Sequence, residues 1–479
     1  MPVVQIAVDL WVLMVPIVFH SLGLVFIADV IMCGRTSQGT IAWIMALLLF
    51  PYLSVFIYLV FGSRRIKDYT DARRSGEKAI HLLGRDLEQK EDMSSLTVLD
   101  NDPRIEALSG IARMPVMTGN RCELLINGHA TFSSILEGIA SAKNYVLIQF
   151  FIIHDDDLGK KLKEACIERA KAGVRIYFLY DKIGSVGLSQ SYKKELIEAG
   201  VHISVFRVGR GLINRFRINF RNHRKIVVVD GEKSWVGGHN VGDDYLGKGK
   251  KLGFWRDTHV KMAGPVSLAV QLSFVEDWYW ATNKLPDVSW GTSRHPGTEP
   301  VLCIPTGPSG PVDAGSLWVV LAINMSRKRC WIMSPYFVPD GAVITALQLA
   351  AMRGVDVRIV IPANPDKRVV WWAAHSYVTE MVVAGVKMYT YGKGFMHQKV
   401  NLIDDCLASI GTANLDNRSL RINFEITMIF TDPTFIRKIA DMCRNDFSEC
   451  RRLDTGDEKS WSLPFRLATR ASRLLSPIL

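Results

Sequence analysis

The chain has no Cys-x-x-Cys pair and no Cys/His cluster at zinc-ligand spacing; its eight cysteines (33, 122, 166, 303, 330, 406, 443 and 450) are scattered along 479 residues. A disulfide scaffold and a zinc ribbon are therefore excluded. The cysteines read as reduced thiols packed as small core residues, with Cys443 and Cys450 the one pair close in sequence. With 48% hydrophobic and 22% charged residues, extended disorder and collagen-like repeats are excluded too. Positive charge is missing where a secretory signal needs it: no Lys or Arg precedes Arg35, and Asp9 stands in place of a basic leader. Over the whole chain acid is in deficit, 47 Asp and Glu against 58 Lys and Arg, so the net +11 suits an anionic partner. Nucleic acid, an acidic membrane surface and phosphorylated small molecules all qualify.

What is present is concentrated apolar sequence at the start. Leu10 to Ala28 and Thr40 to Gly62 run uncharged, each long enough at ~1.5 Å per residue to cross a ~30 Å hydrocarbon layer. The expectation is a two-helix transmembrane hairpin over 1–62, with spans at about 8–30 and 40–62, a turn near Gly34-Arg35-Thr36, and kinks at Pro16 and Pro51. Residues 1–62 hold only Asp9, Asp29 and Arg35, whereas Arg64, Arg65, Lys67, Arg73, Arg74 and Lys78 follow at once. The positive-inside rule then puts everything after residue 62 in the cytoplasm. Residues 63–118 read as a polar linker, helical in places such as Arg73 to Leu87.

Beyond the linker the chain repeats itself. Tyr145-Val-Leu-Ile-Gln-Phe-Phe-Ile, a helical stretch from Leu158 to Ala172, and Gly173-Val-Arg-Ile-Tyr-Phe-Leu are answered by Cys330-Trp-Ile-Met, Gly341 to Arg353, and Gly354-Val-Asp-Val-Arg-Ile-Val. Glu195-Leu-Ile-Glu-Ala-Gly-Val is answered by Glu380-Met-Val-Val-Ala-Gly-Val. The fold class is therefore α/β: two pseudo-symmetric lobes, 119–292 and 293–460, with mixed or parallel sheets and one site at the seam.

Each lobe carries the same constellation at the same place. Lobe one has His223, Lys225, Asp230 and Asn240; lobe two has His397, Lys399, Asp404 and Asn414, with Lys two, Asp seven and Asn 17 positions after His in both. Residues i and i+2 of a strand share a face, so imidazole and ammonium point together into one site. The aspartates fall at an odd offset and are expected to tie down the following turn. Two imidazoles, two ammoniums and two amides suit a phosphodiester. Lys225, Lys399, Asn240 and Asn414 would donate to the phosphate oxygens, one histidine would attack phosphorus, and the other would act as acid and base, with no metal required. The attacking imidazole needs an acceptor on its other nitrogen. Asp257 and Glu425, at comparable positions after the asparagines, are candidate orienters, each serving the opposite lobe's histidine; an ion pair with an arginine is the structural alternative for Asp257.

The paired His-x-Lys-x4-Asp motifs resemble the phospholipase D superfamily over nearly the whole cytoplasmic part. With Ala42-Trp-Ile-Met-Ala-Leu-Leu-Leu-Phe-Pro, Tyr58-Leu-Val-Phe-Gly, Gln149-Phe-Phe-Ile, Tyr180-Asp-Lys-Ile-Gly-Ser and Ser334-Pro-Tyr-Phe-Val-Pro-Asp, the chain is similar to the bacterial cardiolipin synthases. That resemblance implies a phosphatidyltransferase of the bacterial inner membrane, multi-pass, with its lobes on the cytoplasmic side. It would join two phosphatidylglycerols into cardiolipin and glycerol through a phosphatidyl-histidine, without a cofactor. It also implies His223 as nucleophile, His397 as acid/base, and both motif aspartates, Asp230 and Asp404, within the catalytic set. A membrane phospholipase D, a phosphatidylserine synthase and, more distantly, a superfamily nuclease are the alternatives. The membrane spans and the lack of a base-reading module speak against nucleic acid, and a homo-oligomer is left open. One departure stands out: lobe one reads Gly237-Gly238-His239-Asn240 where Gly-Ser-x-Asn is usual, while lobe two keeps a hydroxyl at Thr412.

Three other segments have competing readings. His154-Asp155-Asp156-Asp157 looks like a metal cluster but suits helix capping better. Residues 207–225 carry seven cations and no acid, either a solvated loop or a segment lying on an anionic leaflet. The basic amphipathic tail 461–479 is either an interfacial helix or an ordinary packed one. Tyr336, Phe337 and Pro339 either line the substrate's access route or pack the core.

Overall fold

The computed structural model describes residues 2–32, 37–62, 102–207, 220–249, 251–291, 296–308 and 312–479. The expected hairpin turn at 34–36, most of the linker, and the centre of the basic segment lie outside them.

Two units are described, one of them formed mainly by the N-terminal residues. There the helix Pro2–Met32 contains an apolar stretch, Leu10–Met32, long enough to cross a membrane. The second expected span is two shorter helices, Ser37–Leu49 and Pro51–Phe61. The break is local: Pro51 lacks an N–H and drives the preceding Phe50 out of helical conformation, to φ −134°. Ser54 bridges the break by donating to the Ala46 carbonyl at 2.8 Å, and the Tyr58 hydroxyl donates to Asp29 at 2.6 Å. The single acid described in that apolar stretch is thus hydrogen-bonded.

The second unit contains both repeats. Its strands are β1 (Met117–Ile126), β2 (Tyr145–Phe150), β3 (Arg175–Asp181), β4 (His202–Phe206), β5 (Ile226–Val229), β6 (Lys233–Gly237), β7 (Trp255–Arg256) and β8 (Thr258–Ala263) in the first half. The second half has β9 (Glu299–Thr306), β10 (Arg329–Met333), β11 (Phe337–Val338), β12 (Asp356–Pro362), β13 (Lys387–Tyr391), β14 (Phe395–Met396), β15 (Val400–Ile403), β16 (Leu407–Gly411), β17 (Leu415–Asp416), β18 (Glu425–Phe430) and β19 (Cys450–Arg452). Fifteen of them form one sheet in the order β19-β13-β12-β10-β15-β16-β18-β9-β1-β8-β6-β5-β2-β3-β4. The halves join where β1 and β9 pair antiparallel. The sheet is mixed. Strands β2, β3 and β4 run parallel, as do β10, β12 and β13, because helical chain makes the return each time. Asp156 caps the helix Asp157–Lys171 and Asp340 caps Gly341–Met352, and Gly173 and Gly354 end the two returns at φ +88° and +87°. The strands around the motifs, β5, β6, β15 and β16, are antiparallel hairpins instead.

Each half has its own apolar cluster, one around Ile148, Phe178 and Trp235 and one around Ile332, Ile359 and Trp318. Within the expected linker, Pro103–Ala112 is a helix whose Ile105 and Leu108 sit in the second cluster, and β1 begins at Met117. The tail holds a helix, Leu463–Arg473, packed on the helix Arg368–His375.

Candidate active site

Both His-x-Lys pairs lie in extended chain just before a strand rather than within it, since β5 begins at Ile226 and β15 at Val400. Each approach segment is clamped by the opposite half. The His223 N–H donates to the Phe424 carbonyl and the Phe424 N–H to that of Arg221, both at 2.9 Å; the His397 N–H donates to the Arg256 carbonyl at 2.8 Å, and β14 pairs with β7. Backbone pairing across the seam therefore brings the residues just before Glu425 and Asp257 to the histidines.

The side chains complete the crossing. Nδ1 of His223 lies 2.9 Å from Oε2 of Glu425, and Nδ1 of His397 lies 2.7 Å from Oδ2 of Asp257. An imidazole whose Nδ1–H is held by a carboxylate presents Nε2 with its lone pair. Glu425 is itself fixed by the Thr412 hydroxyl at 2.6 Å and the Asn423 amide at 3.2 Å, and Asp257 by the Thr258 N–H at 2.8 Å. Gly238 answers the departure noted in lobe one: a Cβ there would stand 2.0 Å from Oδ1 of Asp257, so the missing side chain is space that the carboxylate fills. Thr412, its counterpart, contributes a hydroxyl to the other carboxylate.

Both lysines are buried and donate to the carbonyl of their own histidine, Lys225 at 2.6 Å to His223 and Lys399 to His397. Lys399 also lies 2.9 Å from Nδ1 of His397. Burial lowers Lys225 to about 7 and Lys399 to about 8, although the carboxylates of Glu425 and Asp257 pull upward. Burial lowers His223 to about 4, against the pull of Glu425 and helped by Lys225 and Lys399. His397 falls well below its usual range through burial, with Lys399, Lys225 and His223 acting in the same direction. Each motif thus feels the charges of the other, which makes one site of two.

Asp230 and Asp404 are not part of it. Each sits in the hairpin turn at φ 53° and 49° and accepts three backbone N–H groups, from Lys143, Asn144 and Tyr145 or from Arg327, Lys328 and Arg329, at 2.7–2.9 Å. The catalytic placing implied by the resemblance gives way to the turn role expected from their odd offset. Asn240 lies beside the site but is engaged, accepting from the Ile152 N–H and donating to the Tyr245 hydroxyl, both at 3.1 Å. Asn414 lines a small cavity with Lys399 and Ser334, and its Oδ1 is buried with no partner among the described residues.

Several supporting residues carry no sequence signal. Arg224 pairs with Asp277 at 3.0 Å and donates to the carbonyls of Glu425 and Thr306 across the seam. Gln149 and Asn222 donate to the same Asp277 oxygen. Arg256 forms a buried two-pronged pair with Asp446, 190 positions away, which also accepts from Gln398. The 154–157 cluster caps: Asp156 accepts from the N–H groups of Gly159 and Asp243, and Asp155 from the Ser189 hydroxyl. Cys443 and Cys450 are free thiols. Tyr336, Phe337 and Pro339 are buried, with the Tyr336 hydroxyl donating to Asp366.

A strand–helix module present twice, with both copies' His and Lys in one site, defines the class of phospholipase D-like enzymes. The family model described as "Cardiolipin synthase, PLD-like domain" matches residues 135–252 and 319–450, and that of the phospholipase D-nuclease N-terminal region matches 22–63. A protein named cardiolipin synthase A from Pseudomonas entomophila (strain L48) is 45% identical over 468 residues, 96% of this chain and 97% of that one. Its namesake from Pseudomonas aeruginosa (strain LESB58) is 43% identical over 463 residues, covering 96% and 94%. The chain belongs to the cardiolipin synthase family of the phospholipase D superfamily and is a phosphatidyltransferase. The fold is shared with the crystal structure of a phosphatidylserine synthase from Haemophilus influenzae Rd KW20, at TM-score 0.58 and 13% identity over 78% of this chain and all of that one.

Proposed function

We propose that the chain transfers a phosphatidyl group between two phosphatidylglycerols, giving cardiolipin and glycerol, with His223 as nucleophile and His397 as acid and base. The crossed pairs His223–Glu425 and His397–Asp257 carry this reading, since each leaves Nε2 free for chemistry. In the first step Nε2 of His223 forms a bond to phosphorus while the bond to the glycerol oxygen breaks, and His397 gives that oxygen its proton. In the second, His397 takes the proton of a second phosphatidylglycerol's hydroxyl, whose oxygen displaces the histidine. Burial and the lysines keep His397 neutral in the empty site, and the incoming phosphate anion offsets those cations, so substrate binding raises its proton affinity. Lys225, Lys399, the amide of Asn414 and the second amide hydrogen of Asn240, whose first is given to Tyr245, stabilise the charge gathering on the phosphoryl oxygens.

The same reading takes the two halves as pseudo-symmetric lobes and residues 1–62 as a two-span hairpin, with the broken second stretch crossing as one unit. The cations that follow at 64–78 hold the lobes on the cytoplasmic side of a bacterial inner membrane.

Glycerol-labelled phosphatidylglycerol, incubated with the detergent-purified full chain and with His223→Ala, tests the reaction. Cardiolipin and free glycerol from the unaltered chain alone is the expected result. Phosphatidic acid with glycerol would make it a hydrolase and overturn the transfer step.

A further inference from the structure

The helix Leu463–Arg473 is built inside out. Its inward side carries Thr469 and Ser472, only 3% and 6% exposed, beside Phe465, whose ring lies 5.4 Å from that of Trp371. Its outward side carries Leu463, Leu467 and, at the C-cap, Leu474, which are 68%, 61% and 81% exposed. At 3.6 residues per turn the three leucines fall within roughly 40° of one another, with Arg466 and Arg470 on the same side. A helix laid against a protein with water outside does the reverse, turning its leucines inward. No Asp or Glu occurs from Trp461 to Leu479. An apolar strip flanked by Arg466 and Arg470, on a segment that has no acid of its own and whose Arg473 is paired with Glu380, matches the two layers of an anionic lipid surface, acyl chains under phosphates.

The helix is also tied to the rim of the site. It packs on the helix Arg368–His375, which begins directly after Asp366 and Lys367. Asp366 accepts from the Tyr336 hydroxyl, and Lys367 Nζ lies 5.4 Å from the centre of that ring. The Tyr336 carbonyl accepts from Ser334, whose oxygen in turn accepts the N–H of Leu415, next to Asn414.

We propose that the outward face of Leu463–Leu474 docks on a leaflet containing anionic phospholipid and holds the rim of the site at headgroup level. Lipid then reaches His223 and His397 without leaving the bilayer. This rests on the lipid reading given above, and the experiment separates the two. A diazirine amino acid is placed at 467 or 474 of the full chain, which is reconstituted in vesicles of phosphatidylglycerol and phosphatidylethanolamine and irradiated. Adducts with lipid at both positions are expected, fewer of them in phosphatidylcholine vesicles. Adducts with a second copy of the chain, or with water alone, would overturn the proposal.

Kinetics supply an independent reading. The combined variant Leu467→Asp, Leu474→Asp, Arg466→Gln should raise KM for vesicular phosphatidylglycerol about tenfold at unchanged kcat. Its turnover of monomeric short-chain phosphatidylglycerol should match that of the unaltered chain. An unchanged KM on vesicles overturns the docking role alone. Failure of the unaltered chain on the short-chain lipid overturns the lipid reading, while the cross-links still report on docking.

Discussion

Glu425 holds Nδ1 of His223 from 202 positions further along the chain, while Asp257 holds Nδ1 of His397 from 140 positions before it. Neither half contains both members of a histidine–carboxylate pair. Under the proposed chemistry a substitution in either carboxylate is therefore expected to act on the imidazole of the other half.

Glu425→Gln and Asp257→Asn keep the shape of each pair and remove the charge that stabilises the imidazolium. Each should lower kcat by roughly 10²- to 10⁴-fold with little change in KM. Under the proposed assignment Glu425→Gln slows bond formation between His223 and phosphorus, whereas Asp257→Asn weakens His397 both as the acid of the first step and as the base of the second. The adduct, read by rapid acid quench and mass spectrometry, should sit on His223 in both variants. An adduct found on His397 and never on His223 would reverse the assignment.

The pH profile follows from burial. His223 is neutral, and so nucleophilic, down to about 4, while Lys225 and Lys399 lose their charge as pH rises through about 7 and about 8. A plot of kcat/KM against pH should therefore stay high through mildly acidic solution and fall on the alkaline side, because neutral amines no longer stabilise phosphoryl charge. Stability moves on the acid side. His223, His239 and His259 are depressed by burial, to about 4, 3 and 3, so between their ordinary range near 6.5 and those values the unfolded chain binds more protons than the folded one. Their contribution is complete above 6.5 and is lost as pH falls toward 4, which thermal unfolding across that window would register.

Gly238 has no room for a side chain because Asp257 occupies it. Gly238→Ala should push that carboxylate off His397 and cut kcat about tenfold or more. Thr412→Val removes one hydroxyl from Glu425, which keeps its Asn423 contact, and should cost less. Steady-state kinetics of the two variants side by side check the order.

Asp230→Ala and Asp404→Ala each strip the acceptor from three backbone amides without touching a reacting group. Unfolding free energy should drop by about 1–3 kcal/mol while kcat per folded molecule is unchanged. A loss of kcat without a loss of stability would return these aspartates to the catalytic set.

Much of this was legible in the chain. A period of two or 3.6 in apolar residues fixes strands and helices locally, and a motif repeated with His, Lys, Asp and Asn at equal offsets fixes that there are two copies and what chemistry they share. Even the turn role of Asp230 and Asp404 could be read from an odd offset, since strand faces alternate. The break at Pro51 is likewise local in cause: the uncharged run from 40 to 62 reads as one span kinked at that proline, and the structure divides it there into two helices. What only the tertiary structure decided lies across the seam. Comparable positions in the repeats offer Asp257 and Glu425 as orienters of the opposite lobe's histidine, and the clamps at Phe424 and Arg256 supply the contact that brings each one there. At Gly238 the sequence shows only an absent hydroxyl, whereas in the fold the Asp257 carboxylate takes up that space. The buried pair Arg256–Asp446 had no sequence signal at all, because residues 190 apart become neighbours only when the two halves close on each other. The tail shows the same division: its spacing gave an amphipathic helix, and packing alone determined that the leucines face out.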